Sequence, residues 1–116
     1  NPGEEAWKSI QREVKDKNFA KEKGILPTEA EIEAYVFENR SLFDETEEGR
    51  AFIKAYAEGM DMTEDEYWEY NKKYEAPLAV THAKVEKYIL DNGLKPLDYD
   101  DINATIAEKE YFENLE

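Results

Sequence analysis

Apolar residues recur every three or four positions along almost the whole chain, with charged and polar residues between them. The first stripe, from about Gly3 to Lys23, is Trp7, Ile10, Val14, Phe19 and Ala20. It stops at Gly24, the residue type best suited to the left-handed position just past a helix. After the connection Ile25-Leu26-Pro27, Thr28-Glu29-Ala30-Glu31 forms a capping box: the threonine oxygen accepts from the third amide and Glu31 reaches back. The helix it opens carries Ile32, Tyr35, Val36, Asn39 and Leu42/Phe43 on one side. Asp44-Glu45-Thr46-Glu47 repeats the start signal, with Asp44 as the expected cap of a helix to Gly59 that turns Phe52, Ile53, Tyr56 and Met60 inward.

Thr63-Glu64-Asp65-Glu66 is a further box and opens the longest pattern: Tyr67, Tyr70/Asn71, Tyr74, Leu78, Thr81, Val85 and Tyr88/Ile89, stopped at Asn92-Gly93. Pro77 lies inside it. Its ring lacks an amide donor and clashes one turn back, so a kink or break is expected near Tyr74 to Ala76. A turn follows at Leu94 to Leu97. A last helix is expected from an Asp98 or Asp100 cap through Ile102, Ile106 and Tyr111/Phe112. No stretch alternates with period two for long enough to predict a strand. The expected fold is all-α: about five helices in an irregular bundle, one of them long and kinked near Pro77, in a single domain over residues 1–116.

The composition narrows the functions open to such a domain. The 116 residues hold 29 acidic and 15 basic side chains, a net charge of −14, and repulsion from phosphates excludes nucleic acid as a partner class. An anionic membrane surface is disfavoured for the same reason. With 41% hydrophobic and 13% aromatic residues the chain is too apolar for an acidic disordered tail. There are no cysteines and one histidine, which leaves neither a disulfide framework nor an ordinary zinc site. No cofactor is expected. No apolar run is long enough to span a bilayer. The opening Asn1-Pro2-Gly3 lacks a methionine and reads as the start of a trimmed or mature fragment.

The order of these segments resembles a known family. The helix ending Ala20-Lys21-Glu22-Lys23-Gly24-Ile25 leads into Pro27-Thr28-Glu29-Ala30-Glu31-Ile32 with Tyr35. After these come Gly59-Met60-Asp61-Met62-Thr63-Glu64-Asp65-Glu66-Tyr67-Trp68 and a long helix with Tyr74 and Val85. Over about Trp7 to Asn92 this is similar to the N-terminal helical chaperone domain of SurA-like and PrsA-like foldases, the peptide-binding type shared with trigger factor. The resemblance implies a domain that binds unfolded or extended polypeptide in the bacterial cell envelope. The strand and turn that open such domains are missing, and the parvulin isomerase domain is absent, so isomerase activity does not carry over.

Catalytic chemistry finds little support. Glu86 stands four residues from His82 and is placed to orient it as a base, but no serine or cysteine stands nearby as nucleophile. Asp98-Tyr99-Asp100-Asp101 starts like a calcium loop, yet Asn103 and Lys109 occupy the positions that need glycine and glutamate. Asn103-Ala104-Thr105 fits a glycosylation acceptor but falls within an expected helix. The chain is read as a non-enzyme.

The aromatic residues offer more. Tyr67, Trp68, Tyr70 and Tyr74 fall within eight residues and cannot share one helix face; with the tyrosines inward, Trp68 points elsewhere. Tyrosine and tryptophan supply large contact area at low entropic cost, and methionine adapts to irregular partners. Tyr56, Met60, Met62, Trp68 and Tyr70 are therefore the candidate peptide-binding residues, within an acidic rim that favours cationic clients. The alternative is a helical assembly module, with the Tyr67–Ile89 stripe as the seam of a homodimer or of a dedicated partner.

Overall fold

The computed structural model describes residues 2–98 and is all-α; no strand occurs among these residues. Its elements are α1 (Pro2–Lys23), α2 (Glu29–Asp44), α3 (Glu47–Gly59), α4 (Glu64–Tyr70), a π-helical turn (Asn71–Glu75) and α5 (Ala76–Asp91). The last three follow without a break. The helix expected from Asp98 or Asp100 onward lies outside the described residues. The chain divides into two compact units, one comprising residues up to Leu26 and from Thr81 onward, the other Pro27–Val80.

Local sequence signals set the boundaries. Of the three start signals expected as capping boxes, those at Thr28 and Thr63 form: Thr28 accepts from Glu31 while Glu31 accepts from Thr28, and Thr63 and Glu66 do the same. Such a box satisfies two amides that a helix start otherwise leaves unpaired. α1 carries Glu4 and Glu5 in its first turn and Lys21 and Lys23 in its last, each on the favourable side of the helix dipole. It ends at Gly24, whose φ of +70° lets the Ile25 amide bond back to the Ala20 carbonyl at 2.8 Å.

One expected cap is corrected. α2 runs through Asp44, so α3 is capped by Thr46, which accepts from the Gly49 amide at 2.9 Å. Asp44 still contributes, through a carbonyl that accepts from Arg50 at 2.7 Å.

In the first unit, Ala20 and Val85 are fully enclosed, and Phe19 meets Tyr88 edge to face at 5.7 Å. In the second, Ile53 and Ala57 of α3 pack with Tyr67 and Trp68 of α4, and Val36 and Phe43 of α2 close the cluster. Arg40–Asp65 at 2.7 Å and Lys72–Glu33 at 3.1 Å link α2 to α4 and the π turn. Both pairs are exposed and contribute little beyond register.

Pro77 acts differently from the kink expected of it. A π turn closes with i→i−5 bonds, here the Ala76 amide to the Asn71 carbonyl. The wider turn inserts one residue and moves the chain past the carbonyl that the proline ring would strike. The register beyond it shifts accordingly. Tyr74 and Leu78, both expected inside, are 54% and 42% exposed, while Ala76 and Val80 take the buried positions. The α3 stripe is also rotated from expectation: Ile53 and Ala57 are buried, whereas Phe52 and Tyr56 are 56% and 47% exposed.

Candidate functional site

Phe52 and Tyr56, one turn apart on α3, belong to a closed circuit of five rings. Phe43 stacks on Phe52 at 5.7 Å, Phe52 on Tyr56 at 6.0 Å, and Tyr56 tilts over Tyr67 at 5.3 Å. Tyr67 stacks on Trp68 at 5.0 Å, and Trp68 returns to Phe43 at 6.3 Å. Aromatic pairs at such distances contribute roughly 0.5–1.5 kcal/mol each beyond their area burial. Burial is graded around the circuit: Trp68 and Tyr67 lie within the core, Phe43 is half-buried, and Tyr56 and Phe52 stand half in solvent. The core thus reaches the surface as a supported aromatic face.

The predicted contact residues separate into three groups. Trp68 is 5% exposed and belongs to the core, which corrects the expectation that it points away from it. Its neighbour Tyr67 shares the buried side because α3 and α2 cover both. Met60 is half-buried at the C-cap of α3. Met62 and Tyr70 meet at an open groove of about 650 Å³ lined with Ile32, Tyr74 and the charged residues Glu29, Glu69, Lys72 and Lys73. Tyr70 and Tyr74 lie 5.1 Å apart there, and the Lys73 ammonium sits 5.2 Å over the Tyr74 ring. Tyr56 is not part of that lining; it belongs to the ring circuit. Phe43, Phe52 and Tyr74 were not among the predicted contacts, although the four-residue spacing of Phe52 and Tyr56 marks a shared helix face.

Beside the circuit, Tyr67, Asn71 and Glu75 form a stripe at four-residue spacing. Asn71 is 8% exposed, and its amide donates to Glu75 Oε2 at 3.3 Å. That bond fixes the orientation of the amide, since the reverse would set oxygen against carboxylate. Asn71 Oδ1 is left buried without a hydrogen-bond partner among the described residues. An unsatisfied buried acceptor costs roughly 1–3 kcal/mol and calls for an explanation. Burial raises the Tyr67 hydroxyl pKa above its ordinary value, and Glu75, Tyr56 and Tyr35 add to this; hydrogen bonding from Asn71 opposes it. Those causes place two further phenols and a carboxylate around the Tyr67 hydroxyl.

The surroundings are strongly anionic. Residues 27–80 carry fifteen carboxylates against five cationic side chains, a net charge of −10, whereas the rest of the chain contributes only −4.

His82 lies in the other unit. Its Nδ1 is 2.8 Å from Asp16 Oδ2 and its Nε2 2.9 Å from Glu86 Oε1. Hydrogen bonding to Asp16 leads the causes that raise its pKa. A carboxylate at each nitrogen favours the imidazolium over the neutral ring. This departs from a base oriented by Glu86: the ring is a clamp between α1 and α5. Among the described residues no group of three or more histidine, aspartate or glutamate side chains is arranged to hold a metal, and no helix is long and apolar enough to cross a membrane. Most of the aspartate run at 98–101, Asn103 and Lys109 lie outside the described residues.

No protein-family model, curated protein or solved structure matches this chain.

Proposed function

We propose that the chain is a chaperone-like module that holds unfolded or extended polypeptide against the aromatic face of residues 27–80. One observation carries the reading: a ring circuit whose inner members are core and whose outer members, Phe52 and Tyr56, remain half in solvent. Rings anchored from behind offer apolar area without the entropic cost of ordering a loose side chain. Covering the exposed half of each gains roughly 1 kcal/mol by area. Several such contacts give weak, exchangeable binding, which suits holding a client better than storing it. The groove at Met62, Tyr70 and Tyr74 extends the apolar area of the same unit. The surrounding carboxylates keep the empty protein dispersed through self-repulsion. The order of its segments resembles that of foldase chaperone domains, a resemblance that implies polypeptide binding in the envelope without isomerase activity.

The test is suppression of aggregation of a reduced, unfolded client, with Trp68 fluorescence followed in a Trp7→Phe background. Protection at near-stoichiometric ratios is expected, and its loss in Phe52→Ser/Tyr56→Ser with helix content unchanged. Absence of protection and of any fluorescence response across several clients sinks the proposal. Phe37 and Leu90, 73% and 80% exposed, favour the second reading, a helical assembly module. Sedimentation showing a stable dimer that buries the aromatic face would establish that reading instead.

A further inference from the structure

Asn71 Oδ1 is a buried hydrogen-bond acceptor with no donor among the described residues, beside a carboxylate and two aromatic rings. Glu75 supplies a half-buried carboxylate at its side. Tyr67 and Tyr56 supply two rings 5.3 Å apart. A ring face attracts a cation through its quadrupole, and the chain uses that pairing on its own rings, with Lys23 over Phe19 at 5.7 Å and Lys73 over Tyr74 at 5.2 Å. An anion would be repelled here by the Glu75 carboxylate and by the negative ring faces. A side chain that is all donor and positively charged complements the carboxylate, the ring faces and the unmet acceptor, and the net charge of −10 on residues 27–80 draws it in.

We propose that the corner of Tyr56, Tyr67, Asn71 and Glu75 receives a lysine or arginine side chain of the bound polypeptide. The preferred client segment then interleaves basic residues with aliphatic or aromatic ones. The apolar side chains lie on Phe52 and Tyr56, and the cationic one passes to Glu75 and Asn71. Tyr56, half exposed above buried Tyr67, is the ring whose rotation opens the way. This rests on the polypeptide-binding reading and supplies what that reading lacks, the chemistry of the client. It also gives Asn71 Oδ1 its missing donor.

The experiment uses three fluorescein-labelled twelve-residue peptides that alternate leucine and phenylalanine with lysine, with norleucine or with glutamate. Binding is measured by anisotropy against the full chain. The lysine peptide is expected to bind at least tenfold more tightly than the norleucine peptide, and the glutamate peptide least. Asn71→Leu and Glu75→Gln should each weaken the lysine peptide about tenfold and leave the norleucine peptide unchanged. Glu4→Gln, the same change of charge on exposed α1, should leave both unchanged. Glu75 is half-buried, so its variant keeps the test open should Asn71→Leu fail to fold. Equal binding of the lysine and norleucine peptides, or full affinity in both variants, overturns the cation site and leaves the aromatic face standing. If no peptide binds, the norleucine peptide included, the aromatic face itself falls and the cation site with it.

Discussion

Replacing Gly49 by alanine tests the close approach of the start of α3 to the end of α2. By helix propensity alone the change stabilises, since alanine is favoured over glycine by up to about 1 kcal/mol inside a helix. The structure predicts the opposite. A Cβ on Gly49 would lie 2.2 Å from the Phe43 carbonyl oxygen, 2.9 Å from its carbon and 2.9 Å from Thr46 Oγ1. The first contact falls about 1 Å inside ordinary carbon–oxygen packing, and its partner is backbone, which cannot swing away. Overpacking of this kind costs roughly 1–3 kcal/mol, at the upper end where backbone has to move. The net expectation is a loss of about 2 kcal/mol, or roughly 8 °C in Tm at about 4 °C per kcal/mol for a chain of this size.

Gly59 supplies the control. A Cβ there meets nothing within 4 Å, so Gly59→Ala should hold or raise Tm. Thermal melts followed at 222 nm give both Tm values, and Trp68 emission adds a local probe. Pushing Phe43 away disturbs its contacts with Phe52 and Trp68, so emission should change in Gly49→Ala and not in Gly59→Ala. A neutral or stabilising Gly49→Ala would refute the α2–α3 packing, and with it the support behind the aromatic face.

Two further outcomes follow from charge. His82 has its pKa raised above the ordinary 6.5, so its clamp on Asp16 and Glu86 stabilises fully below that value and weakens as pH climbs through the raised one. Tm should fall as pH rises from about 6.5, and His82→Gln should flatten that slope; an unchanged slope in the variant shows that the ring is not the cause. The net charge of −14 predicts a higher Tm at several hundred millimolar salt than at about 10 mM, where the Debye length is near 30 Å. A Tm that drops with salt would mean that pairs such as Arg40–Asp65 and Lys72–Glu33 outweigh the general repulsion.

Features decided within one turn of chain were legible in the sequence. The Thr28–Glu31 and Thr63–Glu66 boxes and the Gly24 stop depend on residues three or four apart, and all stand where the pattern put them. Asp44 was the expected cap of α3, and Thr46, two positions on, is the one that forms. Which of them opens α3 depends on how far α2 runs, and that is settled by packing between helices. Trp68 is buried because α2 and α3 cover it together with Tyr67, whereas Tyr74 turned outward for a different reason. A 3.6-residue template assumes an unbroken register, and the π turn adds a residue to it. Pro77 signalled a disturbance there, but a missing donor and a steric clash can be relieved by a kink, a break or a wider turn. The candidate site was legible as a collection of aromatics near residues 52–74. Which rings stand in solvent turned on the rotation of α3 and on that inserted residue.

The departures from structural economy are concentrated in one place. Phe52 and Tyr56 leave half of two large rings in water, the π turn gives up regular helix geometry, and Asn71 leaves a buried acceptor unmet. Each leaves stabilisation unrealised, and each lies between residues 52 and 75, in the unit that also carries most of the negative charge. Pro77 accounts for the π turn, but neither for exposed rings on α3 nor for an acceptor that leucine at position 71 would remove. Folding uses both only in part, whereas the proposed guest chain would cover the rings and donate to Asn71. Breaches of local rules that share one surface and one remedy indicate a binding face more strongly than any one of them alone.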